Sequence, residues 1–210
     1  MIVKRIQGKG ILAKLSEQCV RILILKECKK INNLKINIIS SSANVIKGEI
    51  QKINIFAENI NYKDLLFDKM ELEGENIKIF FKLNNKELYF KKNSIIKLKI
   101  SLSQKSLKTI LFSNSWDWIS EVISNEVLNQ EKLEDIEIIN DELLIKASEN
   151  NINKSKEETI NIKTEKGKLY LSKKTNKKII QIPIEDKIFV EKIYIENNLI
   201  NVIANSPISI

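Results

Sequence analysis

The 210 residues include no histidine, so carboxylates, lysines and two thiols are the groups left to do chemistry. That absence removes the commonest general base, the commonest metal ligand and every Ser-His or Cys-His arrangement. Glu71, Glu73 and Glu75 alternate onto one strand face, where three carboxylates normally serve solubility. Asp117 and Glu121 stand four apart on a predicted helix, a spacing a hard cation could use but one that more often marks a solvated face. Cys19 and Cys28 fall in one predicted helix. About 1.5 Å of rise per residue puts them roughly 13 Å apart on opposite sides, too far to bridge, and they read as free thiols packed like small hydrophobes. Nucleophile elbow, P-loop and metal-ligand spacing are all missing. The expectation is a protein that is not an enzyme and holds neither metal nor cofactor.

The elements that would position anything else centre on Gly48 to Phe81, GEIQKINIFAENINYKDLLFDKMELEGENIKIFF. Ile53, Ile55 and Ala57 alternate with polar residues, as do Met70 with Leu72 and Ile77 with Ile79 and Phe81. Period two marks strands with one apolar and one wet face. The phase slips between Ala57 and Ile60 and between Leu72 and Ile77, in the echoed tetrapeptides AENI and GENI. An odd slip without reversal calls for a bulge, and bulges bend a sheet. Two long, curved antiparallel strands turning at Lys63-Asp64 are expected, suited to wrapping something apolar.

Upstream, Ile11 to about Lys30 has helical spacing with Leu12, Leu15, Cys19, Ile22 and Leu23 on one stripe. Arg21, Lys26, Lys29 and Lys30 gather toward its C-terminal end, where the dipole favours them. The stripe is expected to cover the core; a basic amphipathic helix on a membrane surface is the sharper reading. A strand follows at Leu34–Ile38, and Leu83 to Lys86 reads as a polar turn. Ile96, Leu98, Ile100 and Leu102 alternate with Lys97, Lys99 and Ser101 in the cleanest strand of the chain. Ser103 stands as an N-cap before a short helix, and a second helix runs from Trp116 to about Leu128. Hairpins are expected around Asn140-Asp141, Lys166-Gly167 and Asn197-Asn198, with a polar loop from Ser148 to Glu158. The last fifty-odd residues are too few to bury a core alone, so their strands are assigned to the same sheet. The fold class is α+β: one domain, 1–210, with an N-terminal helix at about 11–30, a curved sheet from 33, a helical segment at about 103–128 and C-terminal strands over 136–205.

Charged residues at 30% and apolar residues at 43% describe a globular chain. The net charge of +8 invites a nucleic-acid partner. Arg5 and Arg21 are the only arginines, however, so the fork that reads guanine or phosphate is nearly missing. No nucleic-acid partner is expected, and the charge fits solubility with some attraction to anionic head groups. No apolar run approaches the roughly 18 residues of a membrane span. The N-terminus has no signal-peptide pattern, so the expected location is cytoplasmic, resting at most on a membrane surface.

Gly48, Ile50, Ile53, Ile55, Ala57, Glu58, Asn59, Ile60, Tyr62 and Leu65 satisfy the pattern G-x-I-x-x-[IV]-x-[IV]-x-A-E-N-[IV]-x-Y-x-x-L. With these residues the central segment resembles the LmeA-like phospholipid-binding family, DUF2993, in the form common in photosynthetic bacteria. LKISLSQKSLKTIL with Trp116-Asp117-Trp118 looks like the family's next landmark, and the likeness runs over roughly residues 11 to 205. The chain departs by placing Lys63-Asp64 where a glycine-containing turn is usual. The resemblance implies a fold like the tubular lipid-binding proteins: a long antiparallel sheet wrapped around amphipathic helices, with an apolar groove for acyl chains.

On that footing the expected function is non-enzymatic binding or transfer of a phospholipid or glycolipid. Acyl chains would lie between Leu15, Cys19 and Ile22 of the helix and Ile55, Met70, Leu72, Ile79 and Phe81 of the strands, with Lys52, Lys97 and Lys99 meeting the head group. The competing expectation is an interaction protein with a filled core that docks on a membrane or partner through its basic face. An internal gap separates the two, and alternation alone does not display one.

Overall fold

The computed structural model describes residues 11–82, 87–90, 94–148, 155–175 and 179–207. The predicted turn at 83–86 lies outside them. Helix α1 (Ile11–Glu27) runs directly into β1 (Cys28–Ile39). The short α2 (Ser42–Ile46) leads into β2 (Glu49–Tyr62) and β3 (Leu65–Lys82). β4 (Glu87–Phe90) pairs with the far end of β3, and β5 (Ile95–Ser103) with its middle. Near the C-terminus, β11 (Phe189–Glu196) and β12 (Leu199–Pro207) return to complete this sheet in the order β1-β2-β3-β5-β12-β11.

Residues facing one another across these strands set two unlike faces. Ile36, Ile55, Leu72, Leu98, Ala204 and Val190 are successive cross-strand partners on the inner face. One residue along, Lys35, Phe56, Glu71, Lys99, Ile203 and Lys192 form the matching row on the outer face. Period-two alternation, carried in register from β1 to β12 and stepped by an irregularity between Val190 and Lys192 in β11, produces one largely apolar and one largely charged surface.

Between β5 and β12 the chain builds a second sheet, which corrects the expectation of one continuous sheet. α3 (Gln104–Leu111), α4 (Asp117–Val122) and a π-helical turn (Ile123–Val127) lead to β6 (Lys132–Ile139) and β7 (Glu142–Ser148). β8 (Ser155–Glu165), β9 (Lys168–Lys173) and β10 (Ile179–Ile182) finish it in the order β10-β9-β8-β7-β6. Its Ile136, Ile138, Ile145 and Ala147 are buried in one cluster that also holds Ile200, Leu102 and Val202 of the long sheet. Alternation fixes which face is apolar but not which sheet a strand joins. Two apolar faces stacked on each other satisfy the same pattern. The polar stretch read as a loop is strand from Ser155 onward, because Ser155–Glu158 pair with Ile145–Ser148.

Turn chemistry follows the sequence closely. Lys63-Asp64, Asn140-Asp141, Lys166-Gly167 and Asn197-Asn198 all adopt positive φ at both positions, as two-residue hairpin turns require. Ser103 caps α3, its hydroxyl accepting from the amide of Ser106 at 3.3 Å. The two phase slips are real, since Ala57 and Ile60 are both buried, as are Gly74 and Ile77. They are absorbed differently from a bulge in this pair: β2 and β3 keep one register throughout, while Asn59 and Asn76 turn left-handed at φ 49° and 52°. The register shifts fall in β1 instead, around Asn33.

Candidate functional site

Helix α1 carries two apolar stripes. Ala13 is buried against Leu34, Ile38, Ile53 and Ile55, and Val20 and Ile24 pack on the same cluster. The other stripe holds Ile11, Leu15, Cys19 and Ile22 and faces outward, with Ile11 84%, Leu15 60% and Ile22 65% exposed and Cys19 exposed too. The expected core-facing stripe is therefore the solvent-facing one. Its roll is set by β1, which is an edge strand whose polar groups need partners. The Glu17 carboxylate accepts from the amide of Ile38 at 2.7 Å, and Arg21 Nη2 donates to the Leu34 carbonyl at 2.9 Å. Glu17 and Arg21 share a helix side with Ala13 and Ile24, and the small Ala13 lets the backbones approach. Cys28 lies in β1 rather than in the helix, and burial together with the Glu27 charge pushes its thiol pKa up.

Leu15, Cys19 and Ile22 are thus not brought to the strand residues once grouped with them. Ile55 is buried beneath α1, while Met70 and Leu72 are half-buried at the margin of that cluster. Ile79 and Phe81 belong to β3, but their side chains lie outside the described ones. On β5, Ile96, Leu98 and Ile100 are half-buried as well. They stand across from Gly74, Leu72 and Met70, between the cluster under α1 and the cluster under the second sheet. A seam of partly open apolar side chains therefore runs along the middle of the inner face. The β5 alternation pointed at these residues, but only pairing with β3 brings them beside Met70 and Leu72.

Lys52, Lys97 and Lys99 lie on the outer face, across the sheet from these apolar residues. They alternate with Ile53 and Leu98, so a strand cannot present both sets to one ligand. Lys52 pairs with Glu73 and, at 3.4 Å, with Glu75; Lys97 pairs with Glu191 at 3.4 Å. A hydrogen bond from Lys69, reinforced by the Lys69 and Lys99 charges, holds the Glu71 carboxyl below its usual range. An open groove of about 410 Å³ follows this face past Lys35, Phe56, Glu71, Lys97, Lys99 and Ile203. Lys35 and Lys69 both sit over the Phe56 ring, at 5.6 and 5.3 Å. Charges of both signs alternate across it, a cross-strand ladder that cancels locally rather than converging on one ligand. Among the described residues no group of three Cys, Asp or Glu is placed to hold a metal ion.

The Lys63-Asp64 turn is a junction the sequence did not announce. Trp116 Nε1 donates to the Lys63 carbonyl at 3.0 Å, and Asp64 accepts from Lys29 at 2.6 Å and from Ser115 at 2.9 Å. The bonds from Lys29 and Ser115 hold the Asp64 carboxyl below the ordinary range. Left-handed backbone at two non-glycine residues is costly, and three contacts from two segments, β1 and residues 115–116, offset it. Trp116 also lies 6.2 Å from Trp118, ring to ring.

No family model, curated protein or solved structure matches this chain. Among the described residues no helix is long and apolar enough to cross a membrane.

Proposed function

We propose that this protein binds an amphipathic lipid without catalysing a reaction, laying an acyl chain along the inner-face seam of the long sheet. The observation that carries the reading is the set Met70, Leu72, Ile96, Leu98 and Ile100, half-buried on two adjacent strands between two better-covered clusters. Adjacent strands about 4.8 Å apart with alternate side chains raised give a furrow of acyl-chain width. Each methylene removed from water there contributes about 0.8 kcal/mol, so several suffice for useful affinity. The wall of the site is β3 and β5, not the outward stripe of α1, and the outer-face lysines take no part in it.

Native mass spectrometry of the full chain, with extraction of co-purified lipid and re-exposure to liposomes, tests the reading. A stoichiometric lipid that Leu98→Glu abolishes, in a protein whose urea unfolding stays cooperative, is the expected result. An apo mass that takes up no lipid from liposomes would sink it and leave an interaction protein with a filled core.

A further inference from the structure

We infer that the outward face of α1 is a docking surface for an anionic lipid bilayer, a role separate from the seam. At 100° per residue, Ile11, Leu15 and Ile22 fall within an arc of about 40°, and Leu25 and Cys19 widen it to about 120°. Leu25 is 48% exposed, so the whole arc is open over the length of the helix. Single exposed apolar residues are ordinary, but a stripe running the length of one helix, broken midway by the exposed Gln18, marks an interaction surface.

Charge selects the occupant. Lys14 and Lys26, both exposed, are interleaved with the stripe, and Lys30 follows just beyond the helix. The two acids of α1 lie on its other side, and Glu17 is engaged by the Ile38 amide. A second copy of the same face would set lysine against lysine with no carboxylate to receive them. An anionic bilayer instead takes the apolar stripe into its interfacial zone while the lysines, bordering it on both sides, reach the phosphates. Cys19, near the rim of the stripe, adds apolar surface and needs no further role.

Flotation of the full-length protein with phosphatidylcholine vesicles, with and without about one-third phosphatidylserine, tests the inference. Binding is expected with the anionic vesicles and to fall as salt rises. Ile22→Glu should lower partitioning by more than about tenfold, and Lys14→Glu and Lys26→Glu each by about fivefold or more. Because Ile22 is already exposed, its variant should keep the wild-type urea transition, which separates lost docking from lost folding. Leu98→Glu should still float while losing bound lipid, so failure of the seam and failure of the docking face are distinguishable. Three results would overturn the inference: no binding by the wild type, equal binding by Ile22→Glu, or a solution dimer that Ile22→Glu converts to monomer. The last would assign the face to a contact between copies.

Discussion

The long sheet is covered twice on the same face, and the two covers are built to different standards. Over β5, β12 and β11 lies a whole second sheet with α3, α4 and the π-helical turn. It buries Leu128, Ile136, Ile145 and Ala147 to 1% exposure or less. Its edge strand β6 is finished as carefully: Gln104 accepts from the Ile138 amide, Ser124 from that of Leu133 and Asp135 from that of Ile136. Over β1 and β2 lies one helix, touching through Ala13, Val20 and Ile24, with larger apolar side chains on its far side. A cover made only for stability would turn its best apolar stripe inward. The second sheet does that and α1 does not, so one cover is closed on its apolar side and the other leaves an apolar side open.

The difference can be broken or sharpened by substitution. Ile145→Ala empties a fully buried site and is expected to cost about 2–5 kcal/mol in urea unfolding. Gly167→Ala attacks the corner where the second sheet meets β11. A Cβ there, at φ +78°, would stand 2.2 Å from the Phe189 ring, so a loss of about 1–3 kcal/mol is expected.

Glu158→Gln probes the buried pair at the margin of the second sheet, where Lys156 approaches Glu158 at 2.9 Å and Lys173 at 3.4 Å. The Lys156 hydrogen bond and the Lys173 charge hold Glu158 below its ordinary value of 4.5. Its contribution is present above that value and lost as pH falls through the lowered one. The variant should therefore be weaker by about 1–3 kcal/mol at neutral pH, and the gap should close on acidification. Trp116→Phe removes one donor from the Lys63-Asp64 turn and should cost about 0.5–1.5 kcal/mol. Ile22→Ala, on the outward stripe, should stay within about 0.5 kcal/mol of wild type. Equal losses at Ile145 and Ile22 would erase the distinction between the two covers.

Local rules were legible where the chemistry is local. The hairpin turns, the Ser103 cap and the strand alternation follow from residues within a few positions of one another. The phase slips were also visible, but not their mechanism: asparagine tolerates left-handed backbone, so Asn59 and Asn76 shift the face without disturbing the β2–β3 register. What stayed hidden depends on partners far away in sequence. The roll of α1 hangs on Ile38 and Leu34, which stand 21 and 13 residues from the side chains that bond them. The division into two sheets depends on β12 choosing β5, a preference no alternation records. The seam is a product of that division, while the roll of α1 is what keeps Leu15, Cys19 and Ile22 away from the strand residues.

That pairing also gives the molecule a timetable. β5 meets β12 through nine residue pairs, fastened by a buried hydrogen bond from Ser101 to Asn201 across a sequence separation of 100. Every other strand partnership in the long sheet except this one joins strands close together in the chain. During synthesis β5 must wait, one edge bare, until the whole second sheet and residue 207 have emerged. Lys97 and Lys99 are suited to that interval, since charged side chains on an open edge discourage a stray strand from pairing early.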